Sequence, residues 1–375
     1  MTRNRFHPYL LTSMTVALVH DWLTGMRGGE RCLESLCRLF PGAPVYTLLH
    51  APGSVSPEIE RHPITCSFLQ RIPGVARRYR SLLPLFPAAA ERLDLSAFDL
   101  ILSSSHCVAR GVRPRPGALH VCYCHTPMRY VYDQRDAYFQ TPLSRTLAAP
   151  LLRYLRRWDQ GTVPRVHRFI ANSGHVRERI RRYYNREADV VHPPVETGRF
   201  PISDRTGDYF LIVSALVPYK RIDIAVDAFN RLGLPLLIVG DGPERKRLER
   251  RARPNVSFLG WQPDDRLPDL YARALAFILP GVEDFGIAPV ESQAAGRPVL
   301  ALRAGGALET VLEGQTGLFF WPQTPEALAE TVRVFDPSVF YSEDLRAHAR
   351  RFDRSIFERR MKEIIAEAWE AHVNR

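Results

Sequence analysis

The chain has 375 residues, 45% of them hydrophobic and 24% charged, with a formal net charge of +11. That length implies two domains, and those proportions belong to a globular protein rather than a disordered or fibrous one. No apolar stretch approaches the ~20 residues that a membrane-crossing helix needs, which excludes an integral helical membrane protein.

The charge is unevenly shared. Residues 1–200 hold 28 Arg, no Lys and 15 acidic residues, whereas the remainder balances to −2. A basic first half suits a polyanionic partner such as nucleic acid, an anionic membrane surface or a phosphate-bearing acceptor. No zinc finger or other nucleic-acid signature accompanies the charge, so nucleic acid is not expected. The six cysteines lack metal-ligand spacing and read as reduced thiols of a cytoplasmic protein. Strand alternation would set Cys122 and Cys124 on one face.

In chain order, residues 1–14 carry Arg3 and Arg5 but no apolar core or cleavage site, so an extension is expected there rather than a signal peptide. Residues 15–19 (TVALV) predict a first strand, followed by a loop reaching Gly28 and Gly29 and a helix over 30–39. Residues 99–103, 120–124 and 168–171 predict further strands of the same sheet. Residues 71–93 set Arg77, Arg78 and Arg80 beside Leu82, Leu83, Leu85 and Phe86, a basic apolar segment that either meets an anionic membrane or packs its apolar residues inside the first domain with the arginines solvated. The proline-marked stretch 192–203 marks a boundary. A second alternation then predicts strands over 209–214, 236–240, 256–259, 276–279 and 298–301, with helices at 222–232 and 244–252. Residues 355–372 predict an amphipathic terminal helix. The fold class expected is α/β, with two doubly wound Rossmann-like domains facing a cleft. The division expected is 1–200, 201–354 and a terminal helix over 355–375.

The most informative stretch is PGVEDFGIAPVESQAAGRPVLA, residues 280–301. A strand ends near Leu279, a loop carries Glu283, and a helix opens about Gly286, with Pro289 in its first turn. The amides of Gly286, Ile287 and Ala288 make a site for a pyrophosphate. Glu291 lies eight positions after Glu283, so two carboxylates can flank a diphosphate and accept hydroxyls from a sugar and a ribose. No Asp-X-Asp pair is present to hold a metal, and Lys220 is placed to supply the cation instead.

These residues resemble the E-x7-E element of retaining glycosyltransferase family 4, in the context E-D-F-G-I-x-P-V-E with Phe285 and Gly286. VSALVPYKRID (213–223) resembles the family's phosphate-binding turn, with Lys220 at the family lysine and Ala215 where many members have arginine. Arg221 is placed to supply the missing charge. AGGALETV (304–311) resembles the element that closes the donor pocket. HDWLTGMRGGERCLE (20–34) resembles the first strand–loop–helix, with Gly28 and Gly29 facing the cleft. HTPMRYVYD (125–133) is similar to an element of bacterial mannosyltransferases of O-antigen and exopolysaccharide assembly. The resemblance implies the GT-B architecture, with His125, Lys220 and Glu283 catalytic, the donor held by Gly28, Gly29, Arg221, Phe285, Gly286, Ile287, Ala288 and Glu291, and the acceptor beside Arg129 and Tyr130. It further implies retention of configuration without a metal and a terminal helix returning to the first domain. The co-substrate implied is a nucleotide sugar, GDP-mannose first, with no other cofactor. The acceptor implied is a saccharide or a polyprenyl-diphosphate-linked sugar at the inner face of the cytoplasmic membrane. Three rival readings remain at this point. A dinucleotide oxidoreductase lacks its G-x-G-x-x-G, an epimerase shares the fold, and Ala215 leaves room for a silent family member.

Overall fold

The computed structural model describes residues 14–133, 141–203 and 205–374. The expected N-terminal extension lies, but for Met14, outside them. The chain forms two compact units, Met1–His192 with Phe357–Arg375, and Pro193–Ile356.

The first unit is built on a parallel sheet of β1 (Val16–His20), β2 (Val45–Thr47), β3 (Ile64–Cys66), β4 (Leu100–Ser105), β5 (Leu119–Cys124), β6 (Arg168–Ala171) and β7 (Ala188–Val190). Their order across the sheet is β3-β2-β1-β4-β5-β6-β7. Strands buried on both faces read as continuous apolar runs, and alternation divides those runs between two cores. Leu18, Leu100, Leu102, Val121 and Tyr123 pack on one face with the helix Gly28–Leu39 and with Phe357, Met361, Ile364 and Ile365 of the last helix, Arg354–Val373. Ala17, Val19 and Ile101 pack on the other with Phe86, Ala89, Leu152 and Leu155. Cys122 and Cys124 share a third cluster with Phe169 and Val176, and all six cysteines carry free thiols.

The second unit carries β8 (Phe210–Val213), β9 (Leu236–Val239), β10 (Val256–Gly260), β11 (Phe277–Leu279), β12 (Val299–Leu302) and β13 (Gly317–Phe320), in the order β10-β9-β8-β11-β12-β13. Its strands split likewise. Phe210, Ile212, Ile278 and Leu300 face the helices Ile222–Leu232 and Pro325–Val334, whereas Leu211, Phe277, Val299 and Ala301 face the helix Ile287–Ala294. The expected strands and helices are present within a few residues of their predicted ends. Four strands, β2, β3, β7 and β13, and the long helix Pro142–Thr162 had not been expected.

The basic segment over 71–93 is a run of short helices. Phe86 is 2% exposed and belongs to the core, while Leu82 and Leu83 pack against it partly buried. The aromatic ring fills the space beside Trp22, 5.9 Å between centroids. Arg77, Arg78, Arg80 and Leu85 remain exposed.

Candidate functional site

In each sheet the chain changes its direction of strand addition once. From β1 it builds outward to β3 and then returns to lay β4 on the far side of β1; β8, β10 and β11 repeat the move. Loops leaving two such strands diverge and open a crevice at their carboxyl ends, the usual ligand site of an open parallel sheet. Gly28, Gly29, Lys220 and Glu283 follow strands at these two switch points, whereas His125, Arg129 and Tyr130 follow the neighbouring strand β5.

In the second unit, Lys220 ends the loop after β8 and Glu283 lies in the loop after β11. The ammonium of Lys220 donates to Glu283 Oε1, and both side chains are mostly shielded from solvent. The next residue, Arg221, has φ 51°, the left-handed conformation in a non-glycine residue. Such a backbone costs of order 1–3 kcal/mol and persists where its surroundings over-determine it. Here it turns the chain from the Lys220 loop into the helix Ile222–Leu232. The side chain of Arg221 forks onto Asp223 of that helix, Nε to Oδ1 at 3.1 Å and Nη2 to Oδ2 at 3.2 Å. The charge expected to substitute for an arginine at the exposed Ala215 is thus already paired, because a planar guanidinium matches a carboxylate two residues away.

Gly286 caps the helix Ile287–Ala294 with φ 96°, which a Cβ would strain. The first amides of a helix have no intrahelical acceptor; here they belong to Ile287, Ala288 and their neighbours. Phe285 is 3% exposed, its ring 5.5 Å from that of Phe352, so its ring lies in the core while its backbone belongs to the loop. Glu291 is buried on the same helix and accepts a 2.8 Å hydrogen bond at Oε2 from the hydroxyl of Tyr271. No sequence signal pointed to Tyr271. Behind them, Gln293 donates to the carbonyl of Thr310 at 2.7 Å and meets His348 Nδ1 at 2.7 Å, holding the helix in place. A Cβ on Gly305 would stand 2.5 Å from the Glu283 carbonyl oxygen, and one on Gly306 2.4 Å from Phe285 Cα. These glycines let the loop after β12 lie against the Glu283 loop, where Gly306 N–H donates to the Glu283 carbonyl at 2.8 Å.

In the first unit, His20 ends β1, Ser104 lies near the end of β4 and His125 follows β5. Ser104 Oγ is 3.1 Å from His20 Nδ1 and 2.8 Å from His125 Nε2. The helix Gly28–Leu39 comes close to both rings because Gly29 lacks a side chain: its Cβ would lie 3.3 Å from His20 Cε1 and 3.7 Å from His125 Nε2. Gly28 opens that helix, and Glu30 caps it, accepting from Arg27 N–H at 3.1 Å. Beside them the buried Asp21 accepts four backbone N–H groups, from His106 (2.7 Å), Cys107 (3.0 Å), Val108 (2.6 Å) and Ala109 (2.8 Å). Arg129 and Tyr130 open the short helix Arg129–Tyr132. The Tyr130 hydroxyl lies 2.9 Å from Cys107 Sγ, and burial pushes its pKa well up. Ser173 caps the helix Gly174–Tyr184, accepting from Val176 N–H at 3.0 Å. Sequence reasoning missed His20, Asp21, Ser104 and His106.

Residues 26–199 match the family model described as Glycosyltransferase Family 4, and residues 174–336 that described as Glycosyl transferases group 1. Among curated relatives, a D-inositol 3-phosphate glycosyltransferase of Acidothermus cellulolyticus is 32% identical over 52% of this chain and 52% of its own. A GDP-mannose-dependent alpha-(1-6)-phosphatidylinositol monomannoside mannosyltransferase of Mycolicibacterium smegmatis is 35% identical over 39% of this chain and 46% of its own. The chain thus spans about half the length of these curated relatives. Among solved structures, Anabaena HepE in complex with UDP and glucose superposes with a TM-score of 0.70 at 20% identity, covering 94% of this chain and 99% of that one. Sucrose-phosphate synthase from Thermosynechococcus elongatus gives 0.72 at 19% identity, covering 95% and 100%. The two matches run from residue 26 to residue 336, and the fold is that of GT-B glycosyltransferases.

Proposed function

We propose that the protein is a retaining glycosyltransferase that moves a hexose from a nucleoside diphosphate sugar to an acceptor. The observation that carries this reading is the contact of Lys220 with Glu283 at the switch point of the second sheet, beside the helix that opens at Gly286. A departing nucleoside diphosphate needs positive charge where its negative charge grows, and an ammonium with a helix N-terminus supplies it. Glu283 and Glu291 are the acceptors for sugar and ribose hydroxyls, Glu291 being oriented by Tyr271. GDP-mannose is the favoured donor, in keeping with the name of the mycobacterial relative, and UDP-glucose the next. A screen of nucleotide sugars by thermal shift tests this, because a ligand of the folded state raises the melting temperature by mass action. GDP-mannose is expected to give the largest shift and to release GDP on transfer. No shift and no nucleotide release with any donor would sink the reading.

Transfer is expected to survive a chelator, because the sequence has no Asp-X-Asp pair to hold a metal and Lys220 supplies the positive charge instead. Full activity in excess EDTA is the expected result. Complete loss in EDTA, restored by Mg²⁺ or Mn²⁺, would overturn it.

The acceptor we propose is a saccharide carried on a polyprenyl diphosphate, met at the cytoplasmic face of an anionic membrane. No helix among the described residues is long and apolar enough to cross a bilayer, and the attachment we propose is peripheral. Two segments of the first unit support it. Arg77, Arg78 and Arg80 are exposed beside Leu85, and the helix Pro142–Thr162 exposes Leu143 (70%) and Leu147 (72%) along with Arg153, Arg156 and Arg157. The inner residues of both segments, Val75 and Tyr79 in one and Leu152 and Leu155 in the other, pack in one cluster. Each arginine near such a surface contributes about 1 kcal/mol, and the leucines add shallow insertion. Flotation with anionic vesicles is expected to fail after Arg77, Arg78 and Arg80 become Gln and to weaken with salt. Equal flotation with neutral and anionic vesicles, or with neither, rules the surface out.

A further inference from the structure

Ser104 Oγ stands between two imidazoles, 3.1 Å from His20 Nδ1 and 2.8 Å from His125 Nε2. A hydroxyl has one proton to donate. It cannot donate to both rings, so at least one ring donates its N–H to Oγ. The choice is made at the far side of His20, whose Nε2 is buried, has no hydrogen-bond partner and lies 3.9 Å from Glu30 Oε1. Burial opposes ionisation of Glu30, but the proximity of His20, and of His106 beyond it, outweighs burial and holds the carboxyl below its ordinary value. Glu30 is therefore anionic at neutral pH, and a carboxylate beside Nε2 favours a proton there. His20 Nδ1 is then the acceptor. Ser104 donates to it and in turn accepts from His125 Nε2–H, so the lone pair of His125 resides on Nδ1.

We propose that Glu30, His20 and Ser104 are positioning residues that fix the tautomer of His125 and draw off positive charge from it. A proton taken up at His125 Nδ1 is balanced by two short transfers. The Nε2 proton passes to Ser104 Oγ, and the Ser104 proton passes to His20 Nδ1. One proton has been gained, and the charge rests on His20 beside Glu30 rather than on His125. Among the described residues, other titratable groups stand close to this chain. The ring of His106 is 6.1 Å from His20 and 6.2 Å from His125, with its Nδ1 3.0 Å from Asp21. The ring of Tyr123 is 5.1 Å from His125, and Arg129 acts on His106 from the following short helix.

Use of this relay in turnover rests on the transferase reading above, whereas the tautomer does not. The test is a two-bond proton–nitrogen correlation spectrum of the full chain with 15N-labelled histidine, with His125→Gln to assign the resonances. In wild type at neutral pH, His125 should be protonated at Nε2. Glu30→Gln and Ser104→Ala should each populate the Nδ1–H form, and Ser104→Thr should restore the wild-type spectrum. Glu30→Gln keeps an oxygen for the Arg27 N–H, so it carries the test if Ser104→Ala does not fold. An Nδ1–H tautomer in wild type, or an unchanged tautomer in folded variants, overturns the proposal. In transfer assays Ser104→Ala should lower kcat about tenfold with the donor KM within about twofold, and Ser104→Thr should recover it. A shifted tautomer with unchanged kcat overturns the catalytic half. Failure of wild type to use any donor counts against the proposed function alone, because the spectrum is read without one.

Discussion

Replacing Lys220 with alanine is expected to lower kcat by about 10²–10³-fold, the loss seen when one preorganised charge-stabilising group is removed from a site. The ammonium has three donors, so it can keep its bond to Glu283 while another proton meets a phosphate oxygen. That second bond strengthens as the diphosphate departs, so the loss falls on kcat more than on KM. The substitution also leaves the Glu283 carboxylate shielded and unpaired, where it would repel the same diphosphate. Glu283→Gln keeps the side chain's shape and removes its charge, and should cost less, about 10–100-fold. Its backbone stays held by Gly306 N–H. Glu291→Gln should instead raise the donor KM, because a ribose is held equally in the ground and transition states. Steady-state kinetics with a saturating acceptor separates the three. Wild-type turnover in Lys220→Ala and Glu283→Gln would remove this site from the reaction.

The parts of this molecule that were legible in the sequence are those carried by local pattern. β1, β4, β5 and β8 are runs of four to six residues buried on both faces, long enough for an apolar run to register. β2, β3 and β7 have three residues each, too few for any period, and exist because a parallel neighbour offers its hydrogen bonds. The helix Pro142–Thr162 was obscured by Pro150 in its interior, which reads as a break in isolation. At the sites, Glu283, Gly286 and Glu291 sit within nine residues and could be read as one motif. The linkage of His20 to Ser104 spans 84 residues, and that of Glu291 to Tyr271 spans 20, so only the fold brings them together. Arg221 is a related case. Its charge was visible in the sequence, but its pairing with Asp223 depends on a left-handed turn that nothing local announces for an arginine.

Asp21→Asn is expected to destabilise the first unit by about 3–5 kcal/mol, the range for stripping a buried charge from its partners. Asp21 is fully buried, and its two oxygens accept four N–H groups from residues 106–109 while Oδ2 also lies 3.0 Å from His106 Nδ1. Asparagine keeps one of those oxygens. Its amide nitrogen would confront two backbone donors with a third, leaving both unsatisfied in a place where water does not reach, and each such donor costs about 1–3 kcal/mol. The consequence extends to the site, because the loop pinned by Asp21 begins one residue after Ser105, at the end of the strand that carries Ser104. Loosening that loop moves the hydroxyl that joins His20 to His125. Calorimetry should show the endotherm of the first unit lowered by on the order of 10 °C, with the second unit unchanged. At temperatures where the variant is folded, its His125 resonances should broaden toward a mixture of tautomers. A melting temperature within a degree of wild type would mean that the four amides find other acceptors, and Asp21 would then be no anchor for the histidine cluster.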